Sequence, residues 1–241
     1  MNTKINTQAL SSLTTTAIIP AYNESKGIGQ VLDVLEQVIL LSEIIIVDDG
    51  STDDTFSIIQ SHAQREPRIR IIHHEKNKGK GQAVYDAMLE VNTPIVMTLD
   101  ADLIGLKPEH ITQLLEPLYD KKIDMSLGIF RGGKFRTDMS HWLTPWLSGQ
   151  RALWLSHLQK IYWPAAEGYG LETAITAASQ RYHWKTQKVY WYGVSHPPSE
   201  EHRGLFKGGY NRTRMYVHII RAWITALRGD RKAKKVDILT Y

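Results

Sequence analysis

The chain has 241 residues, 42% of them hydrophobic, enough for one large domain or two small ones with a substantial core. It contains no cysteine, which excludes disulfides and thiolate metal sites and fits a reducing compartment. No apolar run approaches the roughly 20 residues of a membrane span, and the N-terminus lacks a signal pattern. We therefore expect a cytoplasmic chain, at most peripheral to a membrane.

The net charge of +4 is unevenly distributed along the chain. Residues 203–241 carry ten Lys or Arg and two Asp, a balance of +8. Residues 1–202 carry 19 basic and 23 acidic side chains, a balance of −4. This asymmetry indicates an anionic surface as a partner of the C-terminal end, and it argues against an evenly basic nucleic-acid-binding protein.

Apolar runs and helical patterns alternate through the first half of the chain. The runs at 44–47 and 95–97 are apolar without alternation, which is typical of strands buried on both faces. The alternation predicts an open, mostly parallel α/β sheet with helices on both faces, and such sheets bind ligands at the carboxyl ends of their strands. The predicted strands are 14–20, 43–48, 69–73 and 95–99, and the predicted helices are 25–41, 53–64 and 81–91.

The pattern is looser after Pro108, and no repeat or linker divides the chain. A Gly- and Arg-rich loop is predicted at 128–136, and a Trp- and Leu-rich helical segment, broken near Pro145, at 140–161. The remaining predictions are helices at 109–118, 170–181 and 211–227 and strands at 123–127 and 185–192.

The first predicted strand ends in Pro-Ala-Tyr-Asn-Glu at residues 20–24. The small Ala21 allows the backbone to approach a flat ligand, Tyr22 can pack on a base, and Glu24 can accept a hydrogen bond from a ribose hydroxyl. The alternative is a strand exit in which Glu24 and Ser25 stabilise the first turn of the next helix.

Two consecutive carboxylates, Asp48 and Asp49, follow the second strand. Helix capping explains the next residues, Ser51 to Asp53. It does not explain two adjacent carboxylates that repel each other at the end of a buried strand and are costly to desolvate. We therefore favour a ligand role, in which a carboxylate accepts hydrogen bonds from a uracil or a guanine.

Two further motifs suggest a phosphate and a metal. Lys78 and Lys80 lie among glycines at the start of a helix, where an anion can bind, although a solvated turn is the alternative. Asp100 and Asp102 follow the strand at 95–99. Paired hard oxygen ligands of this kind suit Mg²⁺ or Mn²⁺, which can hold a diphosphate. A solvated loop is the alternative for this pair.

Taken in order, these motifs resemble those of glycosyltransferase family 2, nucleotide-sugar transferases of the GT-A fold that include polyprenyl-phosphate sugar transferases and glucosyl-3-phosphoglycerate synthases. The resemblance covers residues 14–120 and implies a single Rossmann-like, mostly parallel sheet, a nucleoside diphosphate hexose donor, and Mg²⁺ or Mn²⁺. A UDP-sugar is favoured over GDP-mannose. The residues it assigns to the nucleotide sugar are Pro20, Ala21, Tyr22, Glu24, Asp48, Asp49, Lys80 and Asp100, and those it assigns to the metal are Asp100 and Asp102, with Asp102 catalytic.

The resemblance continues more loosely downstream. The segment at 168–172 is similar to a Gly-Tyr-Gly-x-Glu segment of these enzymes, which implies that Glu172 binds the sugar or acts as general base. The alternative is that the Glu172 carboxylate simply interacts favourably with the dipole of its helix.

His196 is similar to a third, histidine metal ligand of such enzymes, although a structural histidine is the alternative. The candidate acceptor-binding residues are Gly149, Arg151 and Tyr169, and Arg151 suits a phosphate or a carboxylate.

We divide the chain into a catalytic domain at 1–205 and a basic amphipathic helix and tail at 206–241. Within the domain, 14–120 is the nucleotide-binding half and 121–205 the acceptor-side half. The tail can lie on an anionic membrane, or the helix can pack its apolar stripe on the core.

The acceptor remains open between a lipid phosphate and a small phosphorylated or carboxylated molecule, and a homodimer is a further option. One alternative function is non-catalytic binding of a nucleotide sugar. Another is sugar-1-phosphate nucleotidyl transfer, but the Gly-rich, Arg-containing loop expected there after the first strand is replaced by residues 20–24.

Overall fold

A computed structural model describes residues 13–120, 122–131, 148–166 and 170–197 of the chain. The strands in this part are β1 (Thr15–Ala21), β2 (Leu41–Asp48), β3 (Ile69–His73), β4 (Ile95–Thr98), β5 (Met125–Arg131), β6 (Arg151–Trp154) and β7 (Thr186–Tyr192). The α-helices are α1 (Ile28–Glu36), α2 (Thr55–Arg65), α3 (Lys80–Glu90), α4 (Pro108–Tyr119), α5 (Leu155–Leu158) and α6 (Leu171–Arg181).

The seven strands form one sheet in the order β3-β2-β1-β4-β6-β5-β7. Strands β1, β2, β3 and β4 pair in parallel, and β5 pairs in parallel with β7. Strand β6 is antiparallel to both of its neighbours, β4 and β5. This arrangement confirms the predicted mixed α/β fold with a mostly parallel sheet.

The core lies on both faces of the sheet because neighbouring residues of each strand point to opposite sides. Ile19 belongs to the cluster that includes Leu32 of α1, whereas Ile18 belongs to the cluster that includes Val84 of α3. All four side chains are fully buried. Burial of one such side chain contributes about 1.5–3 kcal/mol to the stability of the fold. Because these apolar strands bury side chains on both faces, the sheet is held between two layers of helices.

The helix predicted at 140–161 is wrong over most of the part that the structure describes. Residues 151–154 form β6, and only Leu155–Leu158 after it are α-helical. Ala152 and Leu153 are fully buried between β4 and β5, so pairing within the sheet overrides the helical preference of these residues. The loop predicted at 128–136 is also wrong at its start, because β5 continues to Arg131.

Several predictions fall outside the described residues. They include Tyr169, the helix at 211–227 and the basic tail that follows it. The proposed division into residues 1–205 and 206–241 is untested for the same reason. Within the residues described, no helix combines the length and the hydropathy required to cross a bilayer.

Two glycines in corresponding helical positions give a test of the packing around α3. A Cβ on Gly81, the second residue of α3, would lie 1.9 Å from the carbonyl oxygen of Ala166. A Cβ on Gly29, the second residue of α1, would have no neighbour closer than 3.6 Å.

We expect Gly81→Ala to lower the free energy of unfolding by about 1–3 kcal/mol because it overpacks the contact with Ala166. Gly29→Ala should leave that free energy unchanged or raise it by up to about 1 kcal/mol, because alanine is the better helix former. Urea denaturation of the two variants measures both effects. Equal effects of the two substitutions would contradict the close packing of α3.

Candidate active site

The candidate residues converge because of the sheet topology. Ala21 at the end of β1 is paired with Asp48 at the end of β2. Thr98 at the end of β4 lies opposite Arg151, where the antiparallel β6 begins. The carboxyl ends of three parallel strands and the start of β6 therefore share one edge of the sheet.

Hydrogen bonds join the loops that follow β1 and β2. Asn23, in the left-handed region with φ 56°, donates its backbone N–H to Ser51 Oγ at 3.0 Å. Its Oδ1 accepts from the backbone N–H of Thr52 at 2.8 Å. The backbone N–H of Glu24 donates to Thr55 Oγ1 at 2.8 Å. The polar residues of the two motifs thus fix the loop that carries Glu24.

The carboxylates of Asp48 and Asp49 are buried and bound within the chain. Asp48 Oδ1 accepts from the backbone N–H of Ser51 at 3.3 Å. Asp49 accepts from the backbone N–H groups of Lys78 at 2.9 Å and Gly79 at 2.8 Å. Asp49 therefore ties the end of β2 to the segment that begins α3, and a direct contact of either carboxylate with a nucleotide remains a prediction.

His74, which no sequence motif singled out, extends this network. Its Nδ1 lies 2.7 Å from Asp49 Oδ1, and its Nε2 lies 2.9 Å from Asp86 Oδ2 in α3. His74 is buried, and its imidazole lies between the carboxylates of Asp49, directly after β2, and Asp86, in α3. The sequence did offer one indication of this role: His74 directly follows the predicted strand at 69–73, at the same edge of the sheet as the other motifs.

Lys80, the first residue of α3, bridges two carboxylates from distant parts of the chain. Its Nζ donates to Asp100 Oδ1 at 2.6 Å and to Glu172 Oε1, in the first turn of α6, at 2.6 Å. Burial lowers the pKa of Lys80, but the charges of Asp100 and Glu172 outweigh it and raise that pKa above its ordinary value. Charge-assisted hydrogen bonds of this kind are about twice as strong as neutral ones.

Gly149 makes room for this pair of charges. A Cβ at this position would lie 2.7 Å from each Asp100 carboxylate oxygen and 2.8 Å from Lys80 Nζ. Burial raises the pKa of Asp100, but the charges of Lys80 and His196 hold it well below its usual range. The structure thus places Gly149 beside the predicted phosphate and metal residues, and its assignment to the acceptor remains a prediction.

Asp100, Asp102 and His196 form a group that could hold a metal ion. One ligand atom from each lies within 4.8 Å of the others. His196 Nδ1 lies 3.0 Å from Asp102 Oδ1, and its Nε2 lies 3.7 Å from Asp100 Oδ2. Two carboxylates and an imidazole suit Mn²⁺, and the carboxylates suit Mg²⁺, so the donor set fits the predicted ion.

A two-residue bridge brings His196 to this place. Ile104 and Ser195 exchange backbone hydrogen bonds of 2.9 and 3.1 Å. Next to this bridge, Gly105 packs closely against Gly193: a Cβ on Gly105 would lie 2.2 Å from the carbonyl oxygen of Gly193. The chain after β7 is therefore held against the chain after Asp102.

Glu24 belongs to the same acidic surroundings. Burial, together with the negative charges of Asp102 and Asp100, raises the pKa of Glu24 to about 7. The neighbouring Tyr22 is 44% exposed and is available to pack on a flat ligand. Pro20 and Ala21 are the last two residues of β1, and Tyr22 follows them directly.

The structure places Arg151 inside the fold. Its Nε donates to the carbonyl oxygen of Ser148 at 2.9 Å, and a guanidinium N–H donates to Thr176 Oγ1 in α6 at 3.1 Å. The residue is only 1% exposed, and burial lowers the pKa of Arg151 to about 10. Arg151 therefore supports the helix that carries Glu172, and its contact with an acceptor remains a prediction.

Comparisons with known proteins show which proteins this chain is similar to. The sequence profile described as Glycosyl transferase family 2 matches residues 16–175. A dolichyl-phosphate beta-glucosyltransferase of Trichomonas vaginalis is 40% identical over 103 residues, which are 38% of this chain and 30% of that protein. A glucosyl-3-phosphoglycerate synthase of Mycobacterium tuberculosis is 32% identical over 114 residues, 46% of this chain and 35% of that protein. The chain thus covers about a third of the length of each of these two relatives.

Solved structures show the same fold. A crystal structure of the Mycobacterium tuberculosis glucosyl-3-phosphoglycerate synthase with Mn²⁺, UDP and glucosyl-3-phosphoglycerate aligns with a TM-score of 0.70 and 24% identity. That alignment covers 89% of this chain and 81% of the other. The likeness confirms the predicted GT-A type of α/β fold.

The raised pKa of Glu24 gives a pH-dependent prediction. A group whose folded pKa lies above its unfolded value stabilises the fold at low pH, and this contribution is lost as the pH rises from about 4.5 to about 7. Glu24→Gln removes this half-buried charge. We expect it to raise the free energy of unfolding at pH 8 by an amount on the order of 2 kcal/mol, and to change it little at pH 4.5.

Urea denaturation of both proteins in EDTA, at several pH values, measures this difference. A difference between the proteins that is constant across the pH range would contradict the assigned pKa of Glu24.

Proposed function

Because the chain belongs to glycosyltransferase family 2, as its motifs predicted, we propose that it transfers a hexose from a nucleoside diphosphate sugar to a phosphate-bearing acceptor. The observation that carries this proposal is the ammonium of Lys80 held between Asp100 and Glu172, beside the group of possible metal ligands. A UDP-sugar is the favoured donor, and GDP-mannose is the second choice.

Asp102 and His196, together with Asp100, would hold Mg²⁺ or Mn²⁺. Bound there, the ion supplies positive charge that stabilises the diphosphate as it leaves the sugar. Support comes from the chemistry of the three side chains and from the similar Mycobacterium tuberculosis enzyme, which was crystallised with UDP and either Mn²⁺ or Mg²⁺.

The chain's own residues provide the other parts of the reaction. Lys80 places a second positive charge next to the metal ligands, where a diphosphate would gain negative charge. Glu172, fixed by Lys80 at the start of α6, would orient the hexose by accepting hydrogen bonds from its hydroxyl groups. At the end of β1, Tyr22 would pack on the base and Glu24 would accept from the ribose.

The acceptor is proposed from the names of the relatives. One relative acts on dolichyl phosphate and another makes glucosyl-3-phosphoglycerate, so both names imply a phosphorylated acceptor. The acceptor of this chain would then be a lipid phosphate or a small phosphorylated molecule. The balance of +8 over residues 203–241 supports attraction to an anionic membrane, which would favour the lipid.

Donor binding is tested by thermal shift with UDP-glucose, UDP-galactose, UDP-N-acetylglucosamine and GDP-mannose, each with Mn²⁺ and with EDTA. We expect one donor to raise the melting temperature with Mn²⁺ only, and Asp102→Ala to abolish the rise. Asp120→Ala is the matched control, because the side chain of Asp120 is 71% exposed and lies at the end of α4, outside the site. No rise with any donor would contradict the proposal.

Transfer is then measured as release of the nucleoside diphosphate in the presence of an acceptor. The two acceptors are 3-phosphoglycerate in solution and polyprenyl phosphate in anionic vesicles. Turnover with one of them identifies the acceptor class. Metal-dependent binding without turnover on either would favour a non-catalytic nucleotide-sugar-binding protein.

A further inference from the structure

Gln150, the residue before β6, forms a reciprocal pair with Asp100. Its Oε1 accepts from the backbone N–H of Asp100 at 3.1 Å, and its Nε2 donates to Asp100 Oδ2 at 2.7 Å. Gln150 is only 1% exposed. A buried amide that binds both the backbone and the side chain of one residue leaves that residue little freedom to rotate.

The two oxygens of Asp100 are thereby assigned to different donors. Oδ1 accepts from Lys80 at 2.6 Å, and Oδ2 accepts from Gln150. Gly149, next to Gln150, has no Cβ and so leaves room for the Asp100 carboxylate and the Lys80 ammonium. The start of β6 therefore shapes the surroundings of Asp100 from a part of the chain 50 residues away.

We propose that Gln150 is a positioning residue that fixes Asp100 in the orientation needed for metal and diphosphate binding. The proposal rests on the proposed function, because it assumes that Asp100 and Asp102 hold the metal. Gln150 acts through Asp100 and has no contact with the reacting atoms in this role. Partners of this kind commonly change metal affinity or activity 10–100-fold when they are replaced.

The test uses Gln150→Met, which keeps the length of the side chain but removes both hydrogen bonds. Gln150→Asn is the second variant: it keeps a polar amide for the buried surroundings but is one carbon too short for the pair. The Mn²⁺ dissociation constant is measured by calorimetry without nucleotide, and the donor KM and kcat are measured separately. We expect both variants to bind Mn²⁺ at least about 10-fold more weakly and to have a raised donor KM.

Thr98→Val is the matched control for general loosening of this segment. Thr98 is buried, and its Oγ1 donates to the carbonyl oxygen of Gly149 at 2.9 Å, so the lost hydrogen bond belongs to the same segment but does not involve Asp100. We expect this variant to lower the melting temperature but to leave the Mn²⁺ affinity unchanged. A loss of affinity in Thr98→Val equal to that in the Gln150 variants would overturn the proposal, because any loosening would then suffice.

Asp102→Ala separates failure of this inference from failure of the proposed function. If Asp102→Ala loses Mn²⁺ binding while both Gln150 variants bind Mn²⁺ as tightly as the wild type or more tightly, the inference about Gln150 is overturned and the metal site stands. If Asp102→Ala binds Mn²⁺ like the wild type, the proposed metal site itself is overturned, and the inference with it.

Discussion

The candidate site depends on the ion pairs of the partly buried Lys80 ammonium. The ammonium is held between Asp100, which follows β4, and Glu172, which opens α6. Loss of this cation would leave two partly buried carboxylates close together without a compensating charge, which destabilises the folded state. One side chain thus connects the nucleotide-binding half of the predicted domain to its acceptor-side half.

The surrounding fold keeps Lys80 in this position. Asp49 accepts hydrogen bonds from the backbone directly before α3, and His74 lies between Asp49 and Asp86 of this helix. The close contact of Gly81 with Ala166 also packs the first turn of α3. Polar residues that the motifs suggested as ligand-binding therefore also stabilise the fold at the strand ends, as Asp49 does.

The sequence was informative where local pattern determines structure. Strand β3 was predicted at its observed residues, 69–73, and the apolar runs of β2 and β4 correctly indicated a sheet covered on both faces. The order of the motifs identified the family. The prediction failed at β6, because the short segment at 151–154 becomes a strand only through its pairing with β4 and β5.

The contacts of individual side chains were harder to predict for the same reason. Neither the reciprocal pair of Gln150 with Asp100 nor the burial of Arg151 beneath α6 has a local sequence signal. Both depend on an antiparallel strand inserted into a parallel sheet. The roles assigned to individual residues in donor, metal and acceptor binding therefore remain predictions, although most of these residues lie at one edge of the sheet.

The most direct test compares two variants, Lys80→Gln and Lys78→Gln. For each, the rate of UDP release from UDP-glucose is measured with Mn²⁺ and with 3-phosphoglycerate or polyprenyl phosphate as the acceptor. Lys78 is the matched control, because its side chain is 49% exposed and its Nζ contacts only Asp86 among the ion pairs of the described residues. We predict that folded Lys80→Gln protein loses about 10²–10³-fold in rate, while Lys78→Gln stays close to the wild type. Equal rates for the two variants would contradict this prediction.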